Sequence, residues 1–169
     1  MFIRLQSYNI TGTVLLWLKN FFRERSQQTR VGYSLSDVLE LLSGVIQLSS
    51  IGPLMFLIFI NELNLVLEKL GIKVKLFADG AKLYLKVRDD NDIIKLQAAL
   101  DSLSTWAESC QLTVSVEKCF VLNIGNVVVQ PQFSINGMSL PTVLSCRDLG
   151  VIVCFAQFVT FCPHFRNRG

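Results

Sequence analysis

The sequence predicts an α+β fold, and three stretches carry the prediction: two alternating segments flanking Asp79-Gly80, an apolar run opening at Gly52-Pro53, and a helical period from Asp92 to Ser109. Period two marks strands, whereas apolar residues recurring at spacings of three and four mark a helix with one buried face.

The apolar run comes first along the chain. From Gly52-Pro53 it passes through Leu54-Met55-Phe56-Leu57-Ile58-Phe59-Ile60 to Asn61-Glu62 and on to about Lys69. Proline suits a first helical turn and the length exceeds a strand, so a largely buried helix of about four turns is expected. Seven consecutive apolar residues before Asn61 fall short of the roughly 20 a bilayer span needs, and no membrane association is expected.

The hairpin follows. Ile72, Val74 and Leu76 alternate with Lys73 and Lys75, and Leu83, Leu85 and Val87 alternate with Lys82, Tyr84 and Lys86. Asp79-Gly80 between them is a favoured pair for a two-residue turn, because both residues tolerate positive φ. The turn puts the Asp79 carboxylate at the tip and the lysines on the outer face.

Downstream, Ile93, Leu96, Leu100, Leu103 and Ala107 recur at helical spacing with Trp106 beside them, which predicts a core-facing amphipathic helix. Asp89, Asp90 and Asp92 read as its cap and first-turn acids rather than as metal ligands. Ile124 to Phe133 reads as a strand-and-turn connection to a short hairpin at Asn136-Gly137. Beyond Val153 the chain is aromatic and poorly patterned, a divergent tail over 154–169 whose exposed rings favour aggregation.

Composition bounds these readings. The 169 residues suffice for one domain, and 51% hydrophobic content excludes disorder as the chain's character. A net charge of +3 gives mild support for a nucleic-acid partner, as do Arg23, Arg25 and Arg30 near the first helix. Cys110, Cys119, Cys146, Cys154 and Cys162 show no paired metal spacing, and a zinc site at Cys162 and His164 lacks further histidines. Without a secretory signal, an intracellular protein of the nucleus or cytoplasm is expected, not a secreted one.

The hairpin and what precedes it carry a resemblance. Ser43-Gly44-Val45-Ile46-Gln47-Leu48-Ser49-Ser50-Ile51-Gly52-Pro53-Leu54, followed by Phe77-Ala78-Asp79-Gly80, resembles the reverse transcriptases of non-LTR, LINE-like retrotransposons of the jockey and chicken-repeat type. Trp17-Leu18-Lys19-Asn20-Phe21-Phe22 on one side, and Trp106-Ala107, Glu117-Lys118-Cys119, Ile135-Asn136-Gly137 and Arg147-Asp148-Leu149-Gly150-Val151 on the other, are similar to flanking family segments. The likeness runs from about Leu5 to Val153, so 1–153 is expected to be a partial reverse transcriptase domain.

The resemblance implies part of the palm of a right-hand polymerase, an antiparallel sheet with a catalytic β-hairpin backed by helices, running into the primer-grip and thumb region. Such enzymes copy RNA into DNA with two magnesium ions, each effect on transition-state charge being worth several kcal/mol. Carried over, Asp79 is a catalytic metal ligand and Gly80 stands where the second ligand would be. Gln47, with Ser43 and Gly44, borders the substrate, although Ile46 and Leu48 replace the family's proline and glycine beside it. Lys118 matches a lysine that protonates pyrophosphate. The family's first motif would lie before Leu5, so no residue is assigned to it, and fingers or a parent polyprotein become expected partners beside an RNA template or RNA–DNA hybrid.

Each residue also has a plainer reading: Asp79-Gly80 as a turn pair, Gln47 as a polar loop residue, Lys118 as a solvated lysine. Three functions from different classes follow: an inactive reverse-transcriptase derivative, a non-catalytic nucleic-acid or protein binding module, and a translated remnant. Gly80 and the unassigned first motif favour inactivity in the first of these, and the tail is expected to be a frame-shifted or truncated end.

Overall fold

The computed structural model describes residues 1–41, 44, 49–124, 131–154, 159–161 and 165–167. Helices and small, mostly antiparallel sheets alternate along the chain in two compact units, one over Met1–Ile60 and one over Asn61–Arg168. The α+β expectation holds at this level.

In the first unit, α1 (Phe2–Ser7) and α2 (Gly12–Phe22) are followed by four two-residue strands, β1 (Ser26–Gln27), β2 (Arg30–Val31), β3 (Ser34–Leu35) and β4 (Leu39–Glu40), and then by the start of α3 (Gly52–Glu68). Asn9 ends α1 at φ +64°, which lets the Ile10 and Asn9 N–H groups reach back to the carbonyls of Leu5 and Gln6. The chain then turns so that Leu5, Leu15, Leu18 and Met55 bury together. Burying each such side chain contributes roughly 1.5–3 kcal/mol. Arg4 closes one side, donating to the Phe59 carbonyl at 3.0 Å with its guanidinium 4.3 Å from the Phe59 ring centre. The strands nest, β1 pairing with β4 around the β2–β3 hairpin, and every residue in them is exposed.

Helix α3 matches the expected span, but it is amphipathic rather than largely buried. Met55, Ile60, Leu63 and Leu67 are enclosed, while Leu54, Leu57 and Leu65 stay about half exposed. A helix with one side in contact can bury only the residues of that side, however apolar the rest. Gly71, at φ +69°, stops it: the Ile72 N–H bonds the Leu67 carbonyl and the Gly71 N–H that of Glu68.

The second unit continues with β5 (Lys73–Phe77), β6 (Gly80–Leu85), α4 (Asp90–Ser109), β7 (Leu112–Val114), a single 3₁₀ turn (Val116–Lys118) and β8 (Val121–Leu122). Then come β9 (Ser134–Ile135), β10 (Met138–Ser139), β11 (Thr142–Val143), β12 (Ser145–Asp148), β13 (Val151–Cys154), β14 (Val159–Phe161) and β15 (Phe165–Asn167). The acids before α4 cap it as expected: Asp89 accepts from the Asp92 N–H at 3.0 Å, and Asp92 accepts from the Arg88 N–H at 2.9 Å. Leu96, Ala99, Leu100, Leu103, Trp106 and Ala107 form its buried face. The Trp106 indole donates to Glu62 at 3.2 Å, and the Gln97 amide both donates to the Ser134 carbonyl and accepts its N–H, each at 3.0 Å.

The main sheet has the order β11-β8-β14-β6-β5. Strand β14 lies inside it, antiparallel to both β6 and β8, and β15 pairs with β7. Part of the stretch expected to be an unpatterned tail therefore supplies strand pairing. Three-residue strands leave too short an alternation to read locally. The hairpin at Asn136-Gly137 forms as expected, with φ of +51° and +75° at its two turn residues. Most of the connection expected over Ile124–Phe133 lies outside the described residues, as do Cys162 and His164.

Candidate functional site

The β5–β6 hairpin places the candidate site. Its register pairs Val74 with Leu83 and Leu76 with Ala81 on one face, and Lys73 with Tyr84, Lys75 with Lys82 and Phe77 with Gly80 on the other. Ala81 and Leu83 are fully buried, whereas Lys73, Lys75 and Phe77 are exposed. Period-two alternation thus aims a row of two cations and an aromatic ring at solvent. Asp79 stands exposed at the end of that row.

The turn itself differs from expectation. Ala78-Asp79, not Asp79-Gly80, forms the two-residue loop, with Ala78 at φ +49° and Gly80 drawn into the ladder opposite Phe77. Sliding the pairing to an Asp79-Gly80 turn would leave the same residues on the same faces, so alternation does not choose between the two. An aromatic residue across from a strand glycine compensates for the missing side chain, which favours the observed register. The cost falls on Ala78, since a non-glycine residue in the left-handed region costs on the order of 1 kcal/mol or more.

Lys82 is a second correction. Rather than pointing freely outward, its side chain is only 14% exposed and its ammonium donates to the Asp148 carboxylate of β12. The register supplies the reason: Lys75 lies directly opposite Lys82, like charges facing across a ladder repel, and Asp148 offsets that repulsion. Sixty-six residues separate the pair, so nothing local in the sequence signals it. Beside it, burial pushes the Cys146 thiol above its ordinary pKa of 9.0; Asp148 adds to the rise and Lys82 opposes it.

Of the other expected site residues, Lys118, exposed, ends the 3₁₀ turn between β7 and β8, and β8 belongs to the main sheet with β5 and β6. Gly44 sits in an exposed bend at φ +91°, a conformation that favours glycine. Ser43 and Gln47 lie outside the described residues. Among the described residues no three of His, Cys, Asp and Glu group to hold a metal ion. Asp79 offers one carboxylate at the tip, and Gly80 beside it offers no side-chain ligand.

No family model matches the chain, and no solved structure matches it. The chain is similar to the RNA-directed DNA polymerase from mobile element jockey of Drosophila melanogaster, with 24% identity over 159 residues, 90% of this chain. It spans 17% of that relative's length. The likeness supports a reverse-transcriptase-related origin, in keeping with the family resemblance of the motifs. No helix among the described residues is long and apolar enough to cross a membrane.

Proposed function

We propose that this chain is a polymerase-palm module derived from a non-LTR reverse transcriptase, one that holds nucleic acid without transferring nucleotides. The carrying observation is the hairpin, whose register exposes Lys73, Lys75 and Phe77 in a row ending at Asp79. Exposed cations spaced along a strand suit successive phosphates, and an exposed ring beside them suits sugars or bases. Similarity to an RNA-directed DNA polymerase favours an RNA–DNA hybrid as the partner.

Loss of catalysis rests on Gly80, which offers no side-chain ligand beside Asp79. Losing one transition-state contact costs tenfold in rate per roughly 1.4 kcal/mol. Primer extension with magnesium is the test. No template-dependent incorporation is expected; incorporation that Asp79→Ala abolishes would overturn the loss of activity. Gly80→Asp sharpens the result: if extension still fails, Gly80 is not the sole defect, and if it returns, this position alone explains the inactivity.

A further inference from the structure

Within the β5–β6 ladder, Lys73, Lys75 and Lys82 share the outer face, but one of them is already matched. Lys73 and Lys75 stand exposed on β5, the last strand of the main sheet, whereas Lys82 lies one strand inward on β6, directly opposite Lys75. Residues facing each other in this way have Cβ atoms about 4.5–5.5 Å apart, so their ammonium groups repel unless a negative charge intervenes. Asp148 supplies that charge from β12, accepting the Lys82 ammonium as donor.

Exposure divides the three lysines in the same way. The Lys82 side chain is 14% exposed and that of Asp148 30%, so solvent above β6 meets more of the carboxylate than of the ammonium. Cys146, two residues before Asp148 and on the same face of β12, senses both charges. A phosphate approaching Lys82 must first break the pair, and the carboxylate so released repels it. Lys73 and Lys75 impose no such cost.

We propose that Asp148 is a positioning residue of the nucleic-acid face. It takes on β6 the place of a further phosphate, and so confines the backbone of the bound strand to the β5 edge, with one phosphate against each of Lys73 and Lys75 and the ring of Phe77 beside them. This rests on the reading of the hairpin as a nucleic-acid face, and adds which part of that face the backbone follows and what keeps it there.

The salt dependence of RNA–DNA hybrid binding tests it. In Asp148→Asn, phosphate is the counter-charge left for Lys82, and the slope of log affinity against log salt is expected to steepen by about one, with tighter binding at low salt. Lys82→Gln alone keeps the wild-type slope. Lys82→Gln combined with Asp148→Asn also returns to it, which a mere loosening of β12 would not produce. Removing both charges leaves neither unmatched, so the double variant is expected to keep the wild-type near-ultraviolet circular dichroism. A measurement on the unaltered chain needs no substitution: during lysine acetylation read by mass spectrometry, hybrid protects Lys73 and Lys75 and leaves the rate at Lys82 unchanged. An unchanged slope in folded Asp148→Asn, a slope lowered by about one in Lys82→Gln, or protection of Lys82 in the wild-type chain would each overturn this proposal alone, provided Lys73 and Lys75 still set the slope. No hybrid binding at low salt, or a slope that Lys73→Gln and Lys75→Gln together leave unchanged, would overturn the hairpin reading and this proposal with it.

Discussion

Of the three hairpins in the second unit that turn in two residues, two obey different masters. At Asn136-Gly137 the turn residues are those that tolerate positive φ, and both adopt it. At the β5–β6 tip such a pair is available in Asp79-Gly80, yet the turn forms one residue earlier and puts Ala78 at φ +49°. Local turn chemistry decides the first hairpin. In the second, cross-strand pairing overrides it, and the strain is stored beside the one carboxylate at the candidate site, where strained backbone tends to collect.

The largest test of that contrast is the core under the β5–β6 hairpin. Leu83→Ala removes a fully buried side chain opposite Val74 and should destabilise the second unit by about 3 kcal/mol in denaturant unfolding. A loss below about 1 kcal/mol would mean that the pairing has another anchor. The β9–β10 hairpin is tied down instead by Gln97, which bonds both backbone groups of Ser134. Gln97→Ala should cost about 2 kcal/mol by the same measurement, and no loss would show that water replaces the amide.

The turns themselves should respond with opposite sign. Ala78→Gly is expected to stabilise by about 1 kcal/mol, because glycine occupies the left-handed region without strain. Gly137→Ala, at φ +75°, should destabilise by about 1 kcal/mol or more. Equal signs would erase the distinction between the two hairpins.

The smallest effect concerns pH. Cys146 has its folded pKa raised by burial first and by Asp148 second, so the folded state favours the protonated thiol. Its contribution to stability is full below about pH 9, the unfolded value, and is lost as pH rises from there through the folded value. Alkylation of Cys146 should therefore need a higher pH than an ordinary thiol, and Asp148→Asn should shift that profile downward. An unshifted profile in the wild-type protein would contradict the buried setting.

What the sequence made legible follows the same division. Helix α4 was readable because many residues repeat one period, α3 from its Gly52-Pro53 opening and the length of its apolar run, and the Asn136-Gly137 turn because its chemistry is local. The cap at Asp89 was readable for the same reason. The pairing of Lys82 with Asp148 and the entry of Val159–Phe161 into the main sheet join distant segments, so neither leaves a local trace. The strands from Ser26 to Glu40 bury nothing, and without a buried face no alternation marks them. At the site, Asp79 at the tip and the outward Lys73 and Lys75 followed from period two. The exact turn did not, because both registers satisfy that period equally.

Salt-dependent binding of an RNA–DNA hybrid, compared between the wild-type chain and a Lys73→Gln, Lys75→Gln double variant, tests the central claim most directly. The expected result is binding that falls with salt, with the slope of log affinity against log salt reduced by about two in the variant, one for each lost phosphate contact. Absence of hybrid binding at low salt, or an unchanged slope, would contradict a nucleic-acid role for the hairpin face.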